Sequence, residues 1–222
     1  MITENKKIVF LGDSITQGTG ASAPENMYVE VAAREMGLRE AKNYGIGGTR
    51  FALQKGTPER PKNDWVDVNS FCERFDGMDD DADAVVVFGG TNDFGHGDAP
   101  LGGFDDRTPD TFYGACHYLF TGLIKKYIGK PIVILTPMHR RSELKNTGDK
   151  KSFCTGTLKE YVDAIRRVAE YYSLPVLDLY AESGIQPAIP EVQEAFMPDG
   201  LHPNDAGHRL IAEKLVKFMR AL

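Results

Sequence analysis

Lys6 to Gly18 reads KKIVFLGDSITQG, and this stretch limits the possible folds more than any other in the chain. The apolar run Ile8 to Leu11 stops abruptly at Gly12, and an acid and a serine follow at once. A short apolar run closed by glycine is the pattern of a strand buried on both faces, as in a parallel sheet. Open parallel α/β sheets place ligands and chemistry beyond the carboxyl ends of their strands, and that is where Ser14 stands. One serine establishes no chemistry. The test is whether the groups that serine chemistry requires occur elsewhere in the chain.

The rest of the chain alternates between strand and helix signals. Val29, Ala32, Ala33 and Met36 repeat at helical spacing, with Gly37 as the stop. Ala41 to Tyr44 reads as a short second strand ending in Gly45, Gly47 and Gly48, and Thr49 to Asn63 reads as loop. Val66 to Phe75 is expected to form a helix carrying Val66, Phe71 and Cys72, and DAVVVFGG at Asp83 to Gly90 is another buried strand. Thr108-Pro109-Asp110 supplies an N-cap, a first-turn proline and an acid for a helix that turns Phe112, Cys116, Leu119, Phe120, Leu123 and Tyr127 inward. PIVILT at Pro131 to Thr136 is the next strand, followed by a basic irregular segment from His139 to Lys151. Leu158, Tyr161, Val162, Ile165, Val168, Ala169 and Tyr172 follow the helical period from Thr157 to Tyr172, and Pro175 to Leu179 is a fifth strand. Asn204 or Asp205 opens the last helix, with Ile211, Leu215, Phe218 and Leu222 facing in. Such alternation, without repeats or linkers, predicts a single three-layer α/β/α domain over residues 1–222 around a parallel sheet.

Charge and cysteine content exclude several classes. A net charge of -6 disfavours nucleic acid and anionic membranes as partners. No apolar run approaches the roughly 20 residues that cross a bilayer, and MITENKK carries no signal-peptide pattern. Cys72, Cys116 and Cys154 form no CxxC pair, so reduced, buried thiols in a cytoplasmic protein are the simplest reading. Oligomeric state is left open.

Three further blocks complete the pattern begun at Gly12-Asp13-Ser14: NYGIGG at Asn43 to Gly48, GTND at Gly90 to Asp93, and DGLHP at Asp199 to Pro203. Two lie at strand ends and one just before the last helix, so strand polarity brings them to one edge. In this order the blocks resemble the GDSL family of esterases and lipases, also called SGNH hydrolases, from about Lys6 to the C-terminus. The resemblance implies a flavodoxin-like five-stranded sheet in the order 2-1-3-4-5. It also implies a carboxylic ester hydrolase with Ser14, Asp199 and His202 as its catalytic triad, and no metal or organic cofactor.

The chemistry suits these residue types. A serine hydroxyl needs a base to take its proton during attack. Histidine, titrating near neutrality, can accept that proton and return it to the leaving alcohol, and Asp199 can hold the His202 ring through its other nitrogen. The backbone N–H groups of Ser14 and Gly48 and the amide of Asn92 would form an oxyanion hole. Gly47 is a second candidate for the glycine, and Gly48 is preferred because it directly precedes Thr49. Asp13, Thr49, His96 and His139 are candidates for substrate contact, with Asp13 also suited to bind the loop backbone. His117 and His208 are read as structural, and His96, Asp98 and His139 lack the spacing of a metal ligand set.

Phe94, Leu101 and Phe104 read either as an apolar rim or as anchors of their loop. Arg140, Arg141, Lys145, Lys150 and Lys151 read as a solvated basic loop, with Asp98, Asp105 and Asp106 as an acidic counterweight nearby. Moderate hydrophobicity and the lack of a large apolar lid favour a short acyl group on a small-molecule ester, with O-acetylated carbohydrate as one class. The same groups would support acyl transfer to an acceptor other than water. A non-catalytic nucleotide-binding module is the contrasting reading, but GDSITQG is neither GxGxxG nor GxxxxGK[ST].

Overall fold

A computed structural model describes residues 4–53, 70–146, 148 and 156–222 of the chain. The strands are β1 (Lys7–Gly12), β2 (Glu40–Gly45), β3 (Ala84–Phe88), β4 (Ile132–Leu135) and β5 (Val176–Leu177). All pairings are parallel, in the order β2-β1-β3-β4-β5. The helices are α1 (Ser14–Gln17), α2 (Tyr28–Met36), α3 (Phe71–Arg74), α4 (Thr91–His96), α5 (Phe112–Lys126), α6 (Leu158–Tyr171), α7 (Leu179–Glu182), α8 (Pro190–Phe196) and α9 (Asp205–Ala221).

Because strand side chains alternate between faces, each inner strand feeds two cores. Val9, Leu11, Val85, Val87 and Ile134 pack with Leu119, Leu123, Tyr161 and Ile165 of α5 and α6. Ile8, Phe10, Val86, Phe88 and Leu135 pack with Val29, Met36, Ile211 and Leu215 of α2 and α9. The outcome is the three-layer α/β/α sandwich, with the fully buried strands β1 and β3 inside its middle layer and β3 at the centre. The edge strand β2 is polar and half-exposed, which is why its sequence signal is weak. No helix among the described residues is long and apolar enough to cross a membrane.

Several boundaries differ from the sequence reading. Thr111, not Thr108, caps α5, its side chain accepting from Gly114 N at 3.1 Å. The carbonyl of Pro109 instead accepts from Leu53 N, so the Thr-Pro-Asp turn ties down a loop before the helix begins. Of the helix expected over Val66 to Phe75, the described part holds α3, opened by a capping box of Ser70 and Glu73, and a following 3₁₀ turn, Phe75–Gly77; residues 66–69 lie outside the described residues. β5 is shorter than expected, since Asp178 already caps α7. Asn204 is the cap of α9, Asp205 its first residue, and Leu222 is 44% exposed where an inward position was expected.

Phe94 is buried, and Phe104 packs on His117 and Tyr171, so both anchor their loop. Asp106 accepts from Gly103 N and Thr111 Oγ1, a local turn in place of a counterweight to the basic loop. Arg140 is buried, contrary to its expected place on a solvated surface. Cys72 and Cys116 are buried free thiols, while Cys154, Lys150, Lys151 and residues 54–63 of the expected loop lie outside the described residues.

Candidate active site

Strand register decides where the sequence blocks meet. Gly12 pairs with Gly45 on one side and Phe88 on the other, and Phe88 pairs with Leu135, so four strands end level along one edge. The chain turns outward from β1 to β2 and then reverses to β3, making the gap between β1 and β3 the switch point at which such sheets hold ligands. Ser14 follows β1 and Asn92 follows β3, so the two flank that gap.

Ser14 is the first residue of α1, and the Asp13 carboxylate caps this short helix by accepting from Ile15 N at 3.0 Å. Its N–H is therefore among the donors that a helix start leaves without an intrahelical partner. Ser14 Oγ stands 3.0 Å from His202 Nε2, and His202 Nδ1 stands 2.6 Å from Asp199 Oδ2. The other carboxylate oxygen of Asp199 accepts from Leu201 N at 2.8 Å and His202 N at 2.6 Å, so a single acid shapes the turn and orients the ring. Burial would push the Asp199 carboxyl up. The His202 N–H and imidazole and the Leu201 N–H outweigh it and hold the carboxyl below the ordinary aspartate range.

The glycine block supplies the next donor. Gly47 N–H is engaged by Gln17 Oε1 at 2.8 Å, whereas Gly48 N–H makes no hydrogen bond among the described residues. Gly48 sits at φ +76°, a left-handed conformation that costs glycine little. Asn92, nearly fully buried, donates one amide hydrogen from Nδ2 to Thr49 O at 3.1 Å, which fixes its side chain and leaves the second N–H of the amide as a donor.

The four candidates for substrate contact separate. Asp13 and Thr49 are buried and belong to the frame. Thr49 Oγ1 donates to Ile46 O at 2.7 Å and accepts from Arg74 Nη2 at 3.2 Å. His96 and His139 keep partial exposure at the active edge. Arg50 Nη2 lies 2.6 Å from His96 Nδ1, and since arginine only donates, His96 carries its proton on Nε2. His139 Nδ1 lies 2.9 Å from both carboxylate oxygens of Glu143, and its ring meets that of Tyr180 at a tilt of 36°, with centroids 3.9 Å apart. His208 is structural: it accepts from Tyr28 N at 3.3 Å and donates from Nε2 to Thr19 O at 3.2 Å, and burial holds its pKa down. His117, likewise lowered by burial, meets Tyr172 Oη at 2.9 Å. Among the described residues no cluster of His, Cys, Asp and Glu could hold a metal ion.

Two supporting groups escaped the sequence reading. Arg74 donates to Tyr44 O at 2.5 Å and Gly12 O at 2.6 Å, bridging the ends of β2 and β1, and burial lowers its pKa to about 10. Asp93 accepts from Phe51 N and Ala52 N, both at 3.0 Å, which ties α4 to the loop after Gly48. Neither leaves a periodic or motif signal in a single sequence, apart from the position of Asp93 in GTND.

Burial pushes the Asp13 carboxyl from an ordinary 3.8 up to about 6, although Ile15 N and His202 pull it down. The folded state therefore favours the protonated acid. That contribution is complete below about pH 4 and is lost as pH rises through about 6. Asp13→Asn should remove this slope, so that wild type loses up to about 3 kcal/mol relative to the variant between about pH 4 and 7. Urea unfolding across that range measures it, and parallel curves for the two proteins would show that Asp13 does not titrate there.

Comparison with known proteins adds to this geometry. The profile of the GDSL-like lipase/acylhydrolase family matches residues 10–210. A solved structure of a protein from Lactobacillus plantarum is 31% identical, with a TM-score of 0.82, and the match covers 99% of each chain. A lipase/acylhydrolase from Enterococcus faecalis shares the fold at 23% identity and a TM-score of 0.65, over 97% of this chain and 96% of that one. A two-domain esterase active on acetylated mannans shares it at 21% identity and a TM-score of 0.63, with 99% of this chain matching 49% of that one. No curated protein sequence matches the chain.

Proposed function

Because the chain belongs to the GDSL-like lipase/acylhydrolase family, we propose that it hydrolyses short-acyl carboxylic esters through an acyl-Ser14 intermediate. The observation that carries this reading is the hydrogen-bonded line from Ser14 Oγ through the His202 ring to the Asp199 carboxylate. In the reaction, Ser14 Oγ attacks the ester carbonyl as His202 Nε2 takes its proton. The Asp199 carboxylate stabilises the imidazolium formed, and His202 then protonates the departing alcohol. Charge on the former carbonyl oxygen is met by the N–H groups of Ser14 and Gly48 and by the Asn92 amide. A water molecule, deprotonated by His202, releases the acid and restores Ser14.

The size of the acyl group follows from what surrounds the site. Long acyl chains need extensive apolar lining, since each buried methylene contributes about 0.8 kcal/mol. Among the described residues, Ile46 and Leu144 are the large exposed apolar side chains on the loops following β2 and β4. That favours acetyl-sized groups. His96 and His139 both stand at the active edge, His96 with Arg50 at its Nδ1 and His139 with Glu143 at its Nδ1. We assign both to the alcohol portion of the ester, where such a pair suits a hydroxyl-rich sugar. The mannan-active esterase that shares the fold adds a precedent for acetylated carbohydrate.

A screen of p-nitrophenyl esters of increasing acyl length, together with acetylated sugars, tests the substrate class. Falling kcat/KM beyond the acetyl and propionyl esters is expected, and a preference for octanoyl or longer esters would refute it. Stoichiometric labelling by an organophosphonate, mapped to the peptide containing Ser14, tests the nucleophile, and labelling elsewhere or none would remove it. Asn92→Ala should lower kcat by about 100- to 1000-fold with KM little changed, because the donor acts chiefly on the charge that develops in the transition state. A loss confined to KM would place Asn92 in ground-state binding instead.

A further inference from the structure

The segment after β4 was expected to lie in solvent, yet Arg140 is only 5% exposed. Its Nη1 donates to both Thr91 O and Thr91 Oγ1, each at 2.9 Å, and its guanidinium carbon lies 5.5 Å from the centre of the Phe94 ring. Gly95 makes room for it: a Cβ there would stand 2.8 Å from Nη1. The guanidinium thus lies against Thr91, Phe94 and Gly95 of α4. On the other side, Asn92 Nδ2 reaches Thr49 O and Asp93 accepts from Phe51 N and Ala52 N. The helix that carries the Asn92 donor is therefore gripped from both sides.

The same short segment also reaches the histidine loop. Arg140 N donates to Glu143 Oε2 at 3.2 Å, and Arg141 N donates to Gly200 O at 2.8 Å, between Asp199 and His202. Gly200 holds φ +77°, and a Cβ on it would come within 2.9 Å of Arg141 Cβ. The segment that seats the guanidinium on α4 is therefore also hydrogen-bonded to the turn bearing the proposed base.

We infer that Arg140 is a positioning residue: its guanidinium sets α4 so that the Asn92 amide meets the oxyanion, while its own backbone segment supports the turn bearing His202. The inference rests on the hydrolase reading and on the donor role of Asn92. Arginine suits the place because its rigid planar fork fixes the Nη1 donors toward Thr91 while the guanidinium lies over an aromatic ring, whereas lysine carries a compact, freely rotating ammonium. The guanidinium acts on the site through its bonds to Thr91 of α4.

The test is a double-mutant cycle between Arg140→Met and Asn92→Ala on p-nitrophenyl acetate, with folding checked by thermal melts. Arg140→Met should lower kcat by about 10- to 100-fold with KM within about 3-fold, and the same change in the Asn92→Ala background should cost less than about 3-fold. Arg140→Lys, which keeps the charge and reaches one acceptor, should fall between wild type and Arg140→Met. If Arg140→Met does not fold, Thr91→Val replaces it in the cycle, removing the Oγ1 acceptor alone. Its smaller loss should likewise vanish in the Asn92→Ala background. An equal loss in both backgrounds, or a folded variant with full rate, overturns this inference alone. A full-rate Asn92→Ala enzyme would overturn the donor assignment and this inference with it.

Discussion

Ser14→Ala should fold as wild type does and lose roughly 10⁵-fold or more in kcat for p-nitrophenyl acetate, the scale seen when a nucleophile of this kind is removed. The loss is large because nothing nearby replaces the hydroxyl: its hydrogen bond goes to His202 Nε2, and the adjacent Asp13 is turned inward to cap α1. Stability should barely move. Ser14 opens α1 rather than occupying a core position, and alanine is at least as favourable as serine in a helix. A melting temperature within about 3 °C of wild type fits such a surface-level change. His202→Ala should be as severe, because the two groups act as a unit, and the double variant should be hardly worse than either single one. Multiplicative losses, or more than about a thousandth of the activity remaining in folded Ser14→Ala, would place the chemistry elsewhere.

Asp199→Asn should lower kcat by about 10³- to 10⁴-fold while preserving the loop. An asparagine can keep an oxygen for the N–H groups of Leu201 and His202, the bonds that shape the turn. What it cannot keep is an acceptor for His202 Nδ1–H, because its other side-chain atom is itself a donor. The ring then places its proton on Nε2, facing Ser14, and cannot accept the one it must remove. NMR of the imidazole nitrogens would report the change of tautomer directly. A normal rate accompanied by the altered tautomer would separate Asp199 from the reaction.

How much of this was legible in the sequence depended on the kind of signal. β1, β3 and β4 announced themselves because strands buried on both faces read as unbroken apolar runs, and α6 because its inward face follows the helical period. The start of α5 was misplaced because Thr108-Pro109-Asp110 carries a helix-start signature while serving as a turn bonded to Leu53. Ser14, Asn92, Asp199 and His202 were legible as blocks, and strand polarity foretold that the blocks would meet. The supports were not. Arg74 and Arg140 look like ordinary surface cations in a lone sequence, because a buried arginine is recognised by the carbonyls around it, and those come from distant parts of the chain.

The Ser14 loop and the last helix are fastened to each other at several points. Asp205 accepts from Ser22 N at 2.7 Å and Ser22 Oγ at 2.6 Å, and His208 joins Thr19 and Tyr28. At Gly20 a side chain would run into Pro203 O at 2.2 Å, so the two segments lie in direct contact. During synthesis, the hydroxyl leaves the ribosome nearly two hundred residues ahead of the imidazole that must awaken it. On the proposed mechanism, a growing chain stays chemically silent until α9 docks, and the first burst of ester cleavage in a translation reaction would time that docking.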